Sequence, residues 1–219
     1  GIIYDCLSSL KFLDKNTFEN DLINLTCKKI KNYIKIIKPE KKILISFDGI
    51  APVAKLNQQK NRRYKSWFEN QIMKSINNDI TNKWNSASIT PGTNFMEKLH
   101  NQLHKEFTNE NIIISSSKDA GEGEHKIYEY IRNNPSHHAN TKTIIYGLDA
   151  DLIMLTLNHL HVAPDMHLFR ETPDFIRSLD RSLNPNASYM LDIPEFGKAL
   201  KSELGGGNHR VNDYILLCF

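Results

Sequence analysis

Short apolar runs alternate with helical stripes along this chain. Ile43, Leu44, Ile45 and Phe47 form a run of buried-strand type, Ile112 to Ser115 another and Thr143 to Leu148 a third, while Gly1 to Tyr4 reads as an opening strand. Between the first two runs, Ile23, Cys27, Ile30, Ile34 and Ile37 recur at spacings of four and three. That spacing predicts an amphipathic helix over Thr17 to Lys38, with Lys28, Lys29, Lys31 and Lys35 mostly off its apolar stripe and Pro39 as its stop. Strand, helix, strand in this order predicts a βαβ unit with a right-handed crossover. Beyond Pro52 the pattern turns helical again. Trp67 to Trp84 continues with weaker periodicity, Ser88 to Thr93 is a Pro-Gly turn, and Phe95, Met96, Leu99, Leu103 and Phe107 mark the next helix. The fold class that follows is α/β, a central and mostly parallel sheet flanked by helices.

The later chain is less patterned. Asn133 to Thr141 reads as a polar loop, the stretch after Asn158 mixes strand and loop signals, and Thr172 to Asn186 is polar and peripheral. Leu191 to Ser202 reads as a helix or strand–helix piece, Gly205 to Gly207 as a joint, and Val211 to Phe219 as the start of a buried helix. The chain opens in one apolar segment and closes in another, so both ends read as cut, with structure expected on either side.

Composition narrows the class without choosing a function. At 219 residues, with 40% hydrophobic and 24% charged residues, the chain is long enough for one large α/β domain, and residues 1–219 are read as one. A net charge of +3 does not by itself mark a nucleic-acid binder; the distribution of charge carries the information. Cys6, Cys27 and Cys218 are too few and too scattered for a disulfide framework or a zinc site, which points to a reducing compartment. No apolar run approaches a membrane span and no signal-like segment opens the chain, so a soluble intracellular protein is expected.

The chemistry concentrates in Asp48 to Arg63. Asp48 stands at the carboxyl end of a predicted strand, where open α/β sheets place their sites. Lys55, Gln59 and Arg62 then recur at i, i+4 and i+7 and share a helical face, with Arg63 beside them, and no acidic residue occurs from Gly49 to Phe68. A solvated surface normally mixes both signs. A Lys, a Gln and two Arg together supply point charge, amide donor and bidentate forks, the set that wraps a terminal phosphate.

These same residues, DGIAPVAKLNQQKNRRY, resemble the signature of the Xrn-type 5′→3′ exoribonucleases, which remove nucleotides singly from RNA with a 5′ monophosphate. Two further motifs extend the resemblance over most of the chain: GEGEHK at Gly121 to Lys126, with Ala120 where the family usually has proline, and GLDADLIML around Asp149 and Asp151. TPGTNFM and Arg170-Glu171 also resemble the family. The resemblance implies a PIN/flap-nuclease-like sheet, a catalytic aspartate at Asp5, and a base-stacking histidine at a position where this chain has Lys11. It also implies one more aspartate in a Gly-Asn-Asp motif shortly past Phe219.

Position supports the carboxylates. Asp5, Asp48, the Glu122/Glu124 pair and the Asp149/Asp151 pair are expected at the ends of four strands, the last two carboxylates on one side of extended chain. Alone, a first-turn acid serves the helix dipole and a single Asp serves as a cap. Six converging carboxylates resist joint ionisation, so the expected residents are two hard divalent cations, Mg²⁺ by oxygen preference with Mn²⁺ as the alternative, about 4 Å apart and suited to in-line phosphodiester hydrolysis. Lys55, Gln59, Arg62 and Arg63 are then expected to hold the 5′ monophosphate of single-stranded RNA. The expected role is RNA decay or processing in cytoplasm or nucleus; the alternatives are a noncatalytic RNA-binding relative and a flap or PIN-type endonuclease. His100 and His104 are read as surface residues, and His137 and His138 are assigned no chemistry.

Overall fold

The computed structural model describes residues 1–10, 15–50, 52–76, 84–147, 149–171, 182, 184 and 187–218. Lys11, most of 172–186 and Phe219 therefore lie outside the described residues, as do the side chains of Arg62 and some others on the same helix. The chain divides into two compact units, Gly1–Lys126 and Ile127–Phe219.

In the first unit the order is α1 (Ile2–Ser9), α2 (Lys15–Ile37), β1 (Ile43–Ser46), α3 (Val53–Ile76), α4 (Asn94–Glu106) and β2 (Ile112–Ser115), with the first turn of α5 (Gly123–Asn133) closing it. β1 and β2 pair in parallel, Ile43 opposite Ile112 and Ser46 opposite Ser115. The predicted stripe of α2 is the core-facing one: Phe18, Leu22, Ile23, Cys27 and Ile30 are buried against Phe95, Met96, Leu99, Leu103 and Phe107 of α4 and its end. Trp84 packs edge-on against Phe95, ring centroids 5.0 Å apart. The Pro-Gly turn ends at Thr93, whose hydroxyl caps α4 by accepting from Met96 N–H. Burial pushes the Cys27 thiol up to about 11, which keeps it protonated and inert.

The opening segment corrects the sequence expectation. Gly1 to Tyr4 is not a strand; Ile2–Ser9 is helix α1, and Asp5 lies in its first turn. A short apolar run fits either periodicity, and here Ile3, Cys6, Leu7 and Leu10 repeat at helical spacing, which seats buried Cys6 in the core with α2. The βαβ unit expected around α2 is accordingly absent, and the parallel pair is formed instead by β1 and β2, across α3 and α4.

The second unit carries a three-stranded sheet in the order β3 (Thr143–Tyr146), β4 (Met166–Glu171), β5 (Ser188–Asp192), the first pair parallel and the second antiparallel. Among the described residues its helices are the rest of α5, the short α6 (Pro135–His138) where a loop was expected, α7 (Ala150–Asn158), α8 (Ile193–Glu203) and α9 (Asn208–Cys218). Tyr128, Ile131, Ile145, Leu168 and Ile193 lie at its centre. Tyr128 is buried with its hydroxyl 2.6 Å from Thr156 Oγ1 and donating to Leu152 O. Beside it, His159 accepts at Nε2 from the Arg132 guanidinium, 2.8 Å away, and so donates from Nδ1 to Leu155 O. Among the described residues no helix is long and apolar enough to cross a membrane.

Burial lowers His159, His138 and His100 below the ordinary 6.5, because each would be charged at the expense of its hydration. A depressed histidine leaves the unfolded chain binding more protons, so stability holds above pH 6.5 and is lost as pH falls through the folded values. Thermal midpoints measured from pH 7.5 to 5.5 are expected to fall steadily, and His159→Gln to flatten part of that slope; a flat or rising profile contradicts the assignment.

Candidate active site

The carboxyl ends of β1 and β2 lie side by side, and each leads into a loop that carries acid. Phe47 N–H donates to Ser115 O and continues the pairing past β1. The loops are then stitched by two backbone bonds, Gly49 N–H to Gly121 O at 2.8 Å and Gly121 N–H to Ile50 O at 3.0 Å. This approach is close enough to demand glycine: a Cβ on Gly49 would sit 1.7 Å from the Asp119 carbonyl oxygen. Gly121 meets its side of the turn with φ +94°, a region that glycine adopts freely. Asp119 shapes its own loop, its carboxylate accepting from Ser116 N–H and Ser115 Oγ.

Beneath this stitch lies Lys126. Its ammonium donates to Phe47 O and to Ser116 O, both at 2.8 Å, so one side chain holds the ends of both strands. Burial lowers its pKa, with Asp119 and Asp48 acting in the opposite sense. Asp48 reaches across to α5: its Oδ1 accepts from Gly123 N–H at 2.7 Å, filling one of the unpaired donors of the helix N-terminus. A side chain at Gly123 would come within 3.2 Å of that same oxygen.

Glu122 and Glu124 follow at once, with ligand atoms of Glu122, Glu124 and His125 all within 4.8 Å of one another. Glu122 is buried, and Lys55 Nζ of α3 lies 2.5 Å from its Oε2. The Lys55 pKa is raised, first by that hydrogen bond and further by the charges of Glu122, Glu124 and Asp48. The Lys55 ammonium thus places a cation beside these acids. The donors are hard oxygens, with one imidazole, and they fit a divalent ion of the Mg²⁺ or Mn²⁺ type.

The structure thus brings together Asp48, Glu122, Glu124 and Lys55. Gln59 is half-buried and Arg63 exposed on the same continuous helix. Asp5 is seated elsewhere than at a strand end: it is on α1, with Lys29 of α2 at 3.5 Å. Asp149 and Asp151, in the second unit, do not share an extended stretch, because Asp149 is extended but helix α7 begins at Ala150. Asp149 is the N-cap of α7, accepting from Leu152 N–H, and Asp151 is exposed in the first helical turn. The capping role set aside on sequence grounds is therefore real for Asp149. Sequence reasoning missed His125, whose Nε2 lies 3.7 Å from Glu122, and the anchoring role of Lys126, although both stand within the GEGEHK motif.

Carboxylates thus cluster at the ends of parallel strands, beside a basic helix. The chain matches the XRN 5′-3′ exonuclease N-terminus over residues 1–172, and it belongs to this family. It is 37% identical over 195 residues to a 5′-3′ exoribonuclease 1 of Schizosaccharomyces pombe, covering 80% of this chain and 14% of that one. Against 5′-3′ exoribonuclease 1 of Saccharomyces cerevisiae the identity is 39% over 200 residues, 82% of this chain and 13% of the relative. Against the Homo sapiens protein of the same name it is 43% over 142 residues, 56% and 8% respectively. The chain thus spans about a seventh or less of the length of these relatives.

Two substitutions test the geometry. Gly49→Ala is expected to part the two loops and lower stability by about 2 kcal/mol or more, since backbone rather than a flexible tip must give way. Lys126→Met, which keeps the length but removes the donor that bridges Phe47 O and Ser116 O, is expected to cost about 1–3 kcal/mol in denaturant unfolding. Wild-type stability in either variant contradicts the role given to that residue.

Proposed function

We propose that this chain is nuclease-domain sequence of a metal-dependent 5′→3′ exoribonuclease, its two units parts of one domain, which degrades single-stranded RNA with a 5′ monophosphate to mononucleotides in cytoplasmic or nuclear RNA decay or processing. The observation that carries the reading is the 2.5 Å contact of Lys55 with Glu122, because it joins the phosphate-binding helix to the acidic cluster. The names of the relatives and the XRN match support the same activity.

Asp48, Glu122 and Glu124, with His125 alongside, would hold the cation. Bound divalent ions supply activation of a water and stabilisation of the leaving oxygen in an in-line displacement. The chain's own residues set the geometry. Gly123 N–H fixes one oxygen of Asp48, the stitched loops fix the separation of Asp48 from Glu122, and Lys55, Gln59, Arg62 and Arg63 supply donors for the terminal phosphate. With the end held, the bond to be cut lies one nucleotide in, and polarity follows from the pocket. Caps and triphosphates are too bulky for such a pocket, and a 5′ hydroxyl leaves its donors unpaired. Asp5, Asp149 and Asp151 are proposed as further ligands on their motifs alone.

The test compares one RNA sequence with a 5′ monophosphate or a 5′ hydroxyl, in Mg²⁺ and in EDTA. Mg²⁺-dependent release of mononucleotides from the monophosphate substrate is expected. Asp48→Asn and Glu122→Gln are expected to lower the rate by about a hundredfold or more, and Lys55→Met to lower kcat/KM by about tenfold on the monophosphate substrate and by less on the hydroxyl substrate. Internal cuts indifferent to the end would favour an endonuclease, and tight binding without cleavage a noncatalytic RNA binder.

A further inference from the structure

Helix α3 has a second face. At about 100° per residue, Tyr64 lies about half a turn around the helix from Lys55, with Trp67 and Phe68 to either side of it. These three rings are 65%, 54% and 50% exposed, and no described α3 side chain joins the core of the first unit. They touch one another. Tyr64 and Phe68 are nearly parallel, 9° apart with centroids at 6.5 Å, and Trp67 lies 5.7 Å from Tyr64. Exposed Lys60 and Arg63 flank the rings, with Arg63 between this face and the Lys55 face. Lys65 is close to Glu69, at 3.9 Å, the first acid after Asp48 along the chain.

Large aromatic surface left open to water marks a binding face. Its chemistry selects the occupant. Three ring faces framed by cations, in a stretch without acid, are complementary to a polyanion that carries flat apolar faces, and single-stranded nucleic acid stacks on such platforms with little regard to sequence. We propose that the Tyr64–Trp67–Phe68 face of α3 is a stacking platform for the bases of single-stranded RNA, separate from the pocket for the terminal phosphate. Arg63 leads from one face to the other, so a strand held at its end has a basic edge to follow toward the rings. The proposal rests on the reading of this protein as an RNA enzyme, but its contact needs neither a 5′ phosphate nor a metal.

The test is binding in EDTA of a 3′-labelled 12-nucleotide single-stranded RNA with a 5′ hydroxyl, read by anisotropy and by quenching of protein tryptophan fluorescence. The chain has two tryptophans, and Trp84 is packed against Phe95, so quenching should vanish in Trp67→Leu. Loss of a stacked ring weakens binding by about fivefold or more, and Tyr64→Ala combined with Trp67→Ala should exceed that. Tyr64→Phe with Trp67→Tyr should retain affinity, which separates lost stacking from a damaged helix. Unchanged affinity in the alanine variant overturns the platform, as does a change that sedimentation traces to loss of self-association, which would make the face an interface between copies. Binding and quenching without hydrolysis of 5′-monophosphate RNA would overturn the nuclease reading alone, and hydrolysis with no ring dependence would overturn the platform alone.

Discussion

A buried ammonium spanning two strand ends is the constraint on which the candidate site depends. Parallel strands deliver their carboxyl ends to one edge, but nothing in strand pairing says how close the following loops will come. Lys126 fixes this by donating to Phe47 O and Ser116 O, and the backbone bonds between Gly49, Ile50 and Gly121 close the gap above it. The cost of burying the charge is visible in its lowered pKa. Without it Phe47 O would lose its ammonium donor and Ser116 O would keep only the Asp119 N–H, so the base of the site would lose the one side chain that ties both strand ends together.

The acids form a graded set. Asp48 is exposed but oriented by a helix N–H, Glu122 is buried and paired with Lys55, and Glu124 lies between them in exposure. Negative charge gathered in this way needs a counter-charge, and the raised pKa of Lys55 shows the protein supplying one from α3. The same lysine therefore belongs both to the acidic cluster and to the basic face of α3 proposed to hold the terminal phosphate.

Much of this was legible in the sequence where the pattern was long or chemically particular. The stripe of α2, the stripe of α4 and the run Ile112–Ser115 were read nearly to the residue, because each repeats over several turns or is bounded by turn residues. The site's organising stretch, Asp48 to Arg63, was legible because acid is excluded from so much of it. Gly1 to Tyr4 was misread since four apolar residues fit helix and strand alike, and the choice was made by Cys6 packing against α2. The spacing of Asp149 and Asp151 reads as extended, yet helix α7 begins at Ala150, which turns Asp149 into its cap. Lys126 could not be read, since a lysine after an acidic motif looks like surface until its acceptors are placed.

The pairing of β1 with β2 joins segments dozens of residues apart, with α3 and α4 between them. Closing such a loop is slow and gives no return until the contacts at its far end form. The packing of α2 on α4 closes a loop at least as long, and the Gly49–Gly121 stitch exists only once the strands have met. Core and acidic cluster thus wait on the same long-range closure, and a chain that has not made it would hold Asp48 apart from Glu122 and Glu124.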